Sequence, residues 1–283
     1  MLVSSKSLLN DAQRNHYAIA AFNFYNLDIL YAVLDAAEEK KSPVILQLYA
    51  LYFSFLRPAP IAAAALAAIA ESPVPVALHL DHSNDYDQIL CALDHGFNSV
   101  MIDASKLPLK ENMEITSKVV QTAHTYGAFT EAELGQIFRI GQTTDGQKDQ
   151  KADPEEARLF VAETGVDSLA PAVGSAHGMY VEAPKLDFER IEAISRIVDV
   201  PLVLHGGSGT PDDMIKKAIN CGIAKLNIGT ELKYGWSKAI GEAQKNGEKE
   251  PRITSAYARN HVMEIAKQKI ELCGSINQQH VFE

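Results

Sequence analysis

Asp81 and His82 end the run Ala77-Leu78-His79-Leu80-Asp81-His82, a buried-strand pattern that stops abruptly in an acid and an imidazole. Pro73 and Pro75 precede it, and Ser83-Asn84-Asp85 follows. Neither Asp nor His has high strand propensity, and each needs a partner once desolvated, so stability alone does not put them at a strand tip. Two more histidines stand at comparable places: His177 in Gly174-Ser175-Ala176-His177-Gly178, and His205 in Leu202-Val203-Leu204-His205-Gly206-Gly207-Ser208-Gly209. Three neutral imidazoles from three strand ends would hold Zn2+ and leave a coordination position open, provided the strands share one barrel. A single histidine is more often solvated or satisfied where it lies, and that reading suits His16, His95, His124, His261 and His280, on helices or in the tail. His79 lies within its strand and reads as a core residue.

The run Gly206-Gly207-Ser208-Gly209-Thr210 leads into a helix start at Pro211-Asp212, and Asn227-Ile228-Gly229-Thr230 follows the next strand pattern. Glycines let backbone N–H groups approach an anion, and a helix N-terminus adds a positive dipole. One such run is usually only a turn. Two of them, after the seventh and eighth strands, occupy the usual phosphate site of a parallel barrel.

The elements that must position these residues alternate along the chain. Strand patterns cover residues 18–24, 43–48, 77–82, 99–103, 129–134, 168–172, 201–205 and 223–228. Helical patterns cover 27–40, 61–71, 86–95, 109–126, 154–165, 187–198 and 212–221, with more helix from Glu231 and from Ser255. Short, nearly continuous apolar strands are those of a sheet buried on both faces. Eight strand–helix units of roughly 30 residues predict a single (β/α)8 TIM barrel domain over residues 1–283, of the α/β class, with extra C-terminal helices. An open doubly wound sheet would show a glycine fingerprint early; the first glycine is Gly96. On a parallel barrel, Asp81, His82, Glu131, Glu133, His177, His205 and Asn227 all fall toward the C-terminal rim, where such folds keep their chemistry.

Composition narrows the class further. With 47% apolar and 22% charged residues, the 283-residue chain is neither disordered nor short of core. A net charge of −10 argues against a nucleic-acid partner. The most apolar tract, residues 61–70, is far shorter than the roughly 20 residues of a membrane span, and the first residues lack a signal core. Cys91, Cys221 and Cys273 are widely spaced and odd in number, which fits core thiols in a reduced, cytoplasmic setting.

The motifs "HLDH", "LAPAVGSAHGMY", "VDVPLVLHGGSGTP" and "KLNIGTEL" together resemble the class II, zinc-dependent ketose-bisphosphate aldolases, a family that includes the fructose-1,6- and tagatose-1,6-bisphosphate enzymes. "AAFNFYNLD", "ALDHGFNSVMIDASKLPLKEN" and the closing "CGS" also look like that family, so the resemblance covers nearly the whole chain. It implies a (β/α)8 barrel in homodimers or homotetramers that cleaves a phosphorylated ketose, reversibly, to dihydroxyacetone phosphate and an aldehyde. Carried over by position, it implies His82, His177 and His205 as zinc ligands with Glu133 beside the metal, and Asp81 as proton carrier at the aldehyde oxygen. Asn23, Gly178, Gly206, Gly207, Ser208, Asn227, Gly229 and Thr230 match groups that hold the dihydroxyacetone phosphate half, some of them through a monovalent cation (Na+ or K+). Arg252 matches an arginine that reaches a neighbouring subunit's site and binds the far phosphate. Zinc would serve as Lewis acid on the ketose carbonyl, so no Schiff-base lysine is needed. Lys225 lies at the start of its strand, the wrong end for one.

Two departures stand out. The loop after "ELG" reads "QIFRIGQTTDGQKDQ", longer by about three residues than the family form GGxED, with Thr144 where the glutamate that moves the proton at carbon is expected. Asp145 is its nearest substitute. In "LQLYALYFSF", Tyr49 replaces a serine that binds the phosphate far from the metal. These departures leave open an aldehyde half other than glyceraldehyde 3-phosphate, and a metal-binding accessory subunit without turnover. A zinc hydrolase on the same barrel has no use for the phosphate loops.

Overall fold

The computed structural model describes residues 1–141, 151–180 and 182–279. In chain order its elements are α1 (Ser5–Asn15), β1 (Ile19–Asn23), α2 (Leu27–Lys40), β2 (Val44–Tyr49), a 3-10 turn (Ala50–Tyr52), α3 (Phe53–Leu56), α4 (Pro58–Glu71), β3 (Val76–Ser83), α5 (Tyr86–Asp94), β4 (Ser99–Ile102), α6 (Leu109–Thr125), β5 (Phe129–Leu134), α7 (Pro154–Thr164), β6 (Ser168–Pro171), α8 (Phe188–Ser195), β7 (Leu202–Leu204), α9 (Asp212–Asn220), β8 (Ile223–Ile228), α10 (Thr230–Lys245) and α11 (Pro251–Cys273). The strands close in sequence order into one parallel barrel, β8 pairing with β1 through Ile19↔Lys225 to Phe22↔Ile228. The expected architecture, C-terminal helices included, is the one observed.

Local chemistry explains the element ends. Asn26 caps α2 by accepting from the Ile29 N–H, and Asp153 caps α7 by accepting from the Glu155 and Glu156 N–H groups, with Pro154 in the first turn. Gly165 ends α7 in the left-handed region at φ 66°. The helix α4 begins at Pro58 rather than residue 61, because proline suits a first turn whose N–H groups have no partner anyway.

The helix α1 has no counterpart among the sequence expectations. Its buried Leu8, Leu9 and Ala12 meet Ile19, Ala21, Ile45, Ala77, Phe129 and Ala224 in a separate apolar cluster. The helix therefore plugs the N-terminal end of the barrel. Higher in the barrel the inward positions turn polar: Gln47, His79, Glu131 and Lys225 are each at most 1% exposed. Barrel interiors are ordinarily filled by branched apolar side chains, so these four residues mark where packing gives way to chemistry. Among the described residues, no single helix is long and apolar enough to cross a membrane.

Candidate active site and metal centre

A β-bulge at the end of β3 creates the site. Leu80 pairs with Val100 and Ser83 with Ile102, so Asp81 and His82 together oppose the single residue Met101. Consecutive strand residues normally face opposite sides; here the bulge sends both to the barrel mouth. The turn is completed by His82 itself at φ 51°, left-handed backbone that costs a non-glycine residue roughly 1–3 kcal/mol.

The three strand-end histidines converge. Ring centroids lie 4.7 Å apart for His82–His177, 4.7 Å for His82–His205 and 5.6 Å for His177–His205. One ring nitrogen from each falls within 4.8 Å of the others. Carboxylates behind two of the rings fix which nitrogen that is. The His82 Nδ1–H donates to Asp103 Oδ2 at 3.1 Å, leaving Nε2 for the centre, where it lies 3.1 Å from His177 Nε2. The His205 Nε2–H donates to Glu131 Oε1 at 3.0 Å, and its buried Nδ1 has no hydrogen-bond partner. Glu133 Oε2 is equally unpartnered and stands 3.6 Å from that nitrogen, too far for a hydrogen bond. Buried polar atoms are rarely left unpaired. Orphaned lone pairs 3.6 Å apart, on an imidazole and a carboxylate, suit a bound divalent cation. His82, Asp103 and Glu133 also form a ligand-spaced group that shares His82 with the first.

The charges agree. Burial, with His82 and His205 nearby, drives the His177 pKa well below its ordinary value. His205 is lowered by burial, with Glu131 opposing. Both are therefore neutral imidazoles, as metal ligands must be. Burial opposes a charge on His82, but Asp81, the Asp103 hydrogen bond and Glu133 outweigh it and raise its pKa to about 9. Burial and the nearby Asp103 push Glu133 up to about 8. A cation at the focus would reverse both, favouring the neutral imidazole and the carboxylate.

Asp81 is held as an anion. Burial works against its charge, yet His82, His205 and Lys225 outweigh it and lower its pKa. Asn23 Nδ2 donates to one carboxylate oxygen at 2.8 Å and Asn227 Nδ2 to the other at 3.4 Å. Gln47 Nε2 donates to Asn23 Oδ1 at 2.9 Å, which turns the amide N–H toward Asp81. Asn23, expected at the substrate, also supports the acid, and the buried Asn227 keeps an unpartnered Oδ1.

The two glycine loops form one unit. Ser208 Oγ accepts from the Gly229 N–H at 3.3 Å and the Glu231 N–H at 3.2 Å, tying the loop after β7 to the first turn of α10, where Thr230 stands. The Gly207 N–H donates to the Asn227 carbonyl at 3.1 Å. A Cβ at Gly206 would lie 2.3 Å from the Ala176 carbonyl oxygen, and one at Gly207 would lie 2.8 Å from that of Asn227. Gly178, at φ 127°, lies against Ile140 where the loops after β5 and β6 meet.

Other expected residues fall elsewhere. Arg252 is exposed in the first turn of α11 on the outer layer. Thr144 and Asp145 lie outside the described residues. Tyr49 sets its ring edge-on to His82 at 6.1 Å and accepts from Arg139 Nη2 at 3.2 Å, next to Tyr52, whose ring is tilted against that of Tyr25. Sequence reasoning missed Asp103 and Arg139, and named Glu131 and Lys225 without a role. Asp103 carried a signal, a carboxylate just past a strand end. Nothing local marked the others.

The family described as fructose-bisphosphate aldolase class-II matches residues 3–278 of the chain. The chain is similar to the crystal structure of the YdjI aldolase from Escherichia coli K12, with 39% identity over 99% of this chain and 100% of that one and a TM-score of 0.90. It is also similar to a candidate fructose-1,6-biphosphate aldolase from Coccidioides immitis, with 31% identity over 98% of each chain and a TM-score of 0.91. A fructose-bisphosphate aldolase from Campylobacter jejuni shares the fold at 24% identity, over 98% of this chain and 96% of that one, with a TM-score of 0.83.

Proposed function

The chain belongs to the class II fructose-bisphosphate aldolase family, a group of metal-dependent lyases, and on that premise we propose that it cleaves a phosphorylated ketose reversibly to dihydroxyacetone phosphate and an aldehyde. One observation carries the reading: the Asp81 carboxylate lies 4.0 Å from His82 Nε2, a nitrogen that faces the shared focus of the three histidines. An ionised base and a Lewis-acid position thus flank the same small space.

His82, His177 and His205 would hold Zn2+, with Glu133 beside it. Bound there, the ion would polarise the ketose carbonyl and take up charge developing on its oxygen. Asp81 removes the proton from the hydroxyl on the carbon that becomes the aldehyde, and the adjacent C–C bond breaks toward the carbonyl. In the reverse direction it returns that proton. Asn23 and Asn227 orient both carboxylate oxygens for this transfer. The proton at the other carbon falls to Asp145. The phosphate of the dihydroxyacetone half would sit on the backbone of Gly206, Gly207, Gly229 and Thr230 at the N-terminus of α10, and carbonyls of these loops would hold a monovalent cation beside it. Arg252, exposed on the outer layer, would serve a neighbouring subunit in a homodimer or homotetramer, working in the cytoplasm.

A second reading concerns the aldehyde half. Tyr49, in the place of the family's phosphate-binding serine, sets its ring beside His82, which favours an aldehyde other than glyceraldehyde 3-phosphate. The test combines cleavage of fructose and tagatose 1,6-bisphosphates with condensation of dihydroxyacetone phosphate onto a broad set of aldehydes. Turnover in any arm supports the aldolase reading, and the preferred aldehyde decides between the two. Silence in every arm with zinc-loaded protein contradicts both and leaves the accessory subunit.

A further inference from the structure

Lys225 stands on β8 inside the barrel and is 1% exposed. Taking an ammonium and a carboxylate out of water costs several kcal/mol per ion, and a well-packed apolar pair of similar volume is often as stable or more so. Stability therefore gives no reason for a lysine at a position where barrels usually carry branched apolar side chains. Its reason lies at the other end of its contacts.

Lys225 Nζ donates to Glu131 Oε2 at 2.7 Å. The second oxygen of the same carboxylate accepts from His205 Nε2 at 3.0 Å. The His205 ring is fully buried, and its remaining nitrogen is the unpartnered Nδ1 at the focus. The three groups form one line: ammonium, carboxylate, imidazole, then the metal position. If the Glu131 carboxylate turned away, His205 could take the other tautomer, which places a proton where a lone pair must point.

The support behind His82 shows why a cation is needed here. Asp103 does for His82 what Glu131 does for His205, but its side chain is 23% exposed and takes hydrogen bonds from the Ser105 hydroxyl and N–H at 2.7 and 3.3 Å. Water and a hydroxyl suffice for it. Glu131, 1% exposed, has neither, and the Lys225 ammonium takes their place.

We propose that Lys225 is a positioning residue of the metal centre: it anchors the Glu131 carboxylate and, through it, locks His205 in the tautomer and orientation that present Nδ1 to the metal. The proposal rests on the metal reading of His82, His177 and His205.

The test measures zinc affinity by chelator competition in wild type, Lys225→Met, Glu131→Gln and the double variant, with Tm recorded for each. Lys225→Met should bind zinc roughly 10–100-fold more weakly, the usual cost of losing support behind a metal ligand. In the Glu131→Gln background the same substitution should cost less than about threefold, because the route from Lys225 to the ring is already broken. Full zinc affinity in a folded Lys225→Met protein, or an equal loss in both backgrounds, would overturn the proposal. A second measurement does not depend on the variants folding: nitrogen-15 NMR of the metal-free wild type should show His205 protonated at Nε2. Protonation at Nδ1 overturns the proposal. Wild type without zinc affinity would instead overturn the metal reading, and this inference with it.

Discussion

Asp81 and His82 are consecutive in the chain yet face the same space, with Asp81 Oδ1 lying 4.0 Å from His82 Nε2. The bulge that allows this, opposite Met101 on β4, brings an acid and a candidate metal ligand to one place at the barrel mouth. It separates their roles as well. His82 is backed by Asp103 and faces His177, whereas Asp81 is held by amides from β1 and β8.

Asp81→Asn keeps the size of the side chain and removes the base. A positioned general base contributes about 10²–10⁴ in rate. The variant should lose that much in kcat while binding metal at the wild-type ratio, measured by steady-state cleavage and metal analysis on the same sample. A kcat within threefold of wild type would remove Asp81 from the chemistry.

The loops after β7 and β8 offer a steric test. Gly207→Ala places a methyl 2.8 Å from the carbonyl oxygen of Asn227, whose side chain touches Asp81. Overpacking of this kind costs about 1–3 kcal/mol. The KM for dihydroxyacetone phosphate should rise about tenfold or more in the condensation direction. An unchanged KM would place the phosphate elsewhere.

Arg139→Met tests the aldehyde half. A hydrogen bond to a charged group is worth about 1.5–3 kcal/mol, so the KM for the aldehyde should rise on the order of 10–100-fold while that for dihydroxyacetone phosphate holds. Equal effects on both substrates would mean that Arg139 shapes the site generally rather than choosing the aldehyde.

His79 predicts an acid-limb effect on stability. Its ring bonds Ser99 Oγ at 2.7 Å, and burial, aided by Lys225, lowers its pKa to about 3 from 6.5. As pH falls below 6.5 the unfolded chain takes up the proton first, so stability is lost between pH 6.5 and about 3. His79→Gln lacks that proton uptake. Between neutral pH and about pH 4.5, the metal-free variant should lose less stability than metal-free wild type in urea unfolding, by about 2–3 kcal/mol. Parallel losses would show that His79 titrates alike in both states.

The periodic elements were readable from the sequence. The expected ranges for α2, β5 and β8 are those observed, because continuous apolar runs and strong punctuation leave little room for error. The helix α1 was not readable: it carries only Leu8, Leu9 and Ala12 as buried apolar residues among polar ones, and its purpose, plugging the barrel, is a tertiary one. The three strand-end histidines were visible because a strand tip is an odd place for them. The line from Lys225 through Glu131 to His205 was not, since its hydrogen bonds span 94 and 74 residues and no local pattern links those positions. The support of Asp81 by Asn23 was hidden for the same reason: that bond exists only once β1 and β3 stand in one barrel.

The central claim is that His82, His177 and His205 hold a divalent ion that the aldol chemistry requires. The direct measurement is metal content and turnover together, in wild type, in chelator-treated wild type, and in His82→Ala, His177→Ala and His205→Ala. Wild type should carry stoichiometric metal and lose metal and turnover together on chelation, with both restored by zinc; each variant should lack both and resist rescue. Wild-type turnover by chelated protein or by His82→Ala would contradict the account.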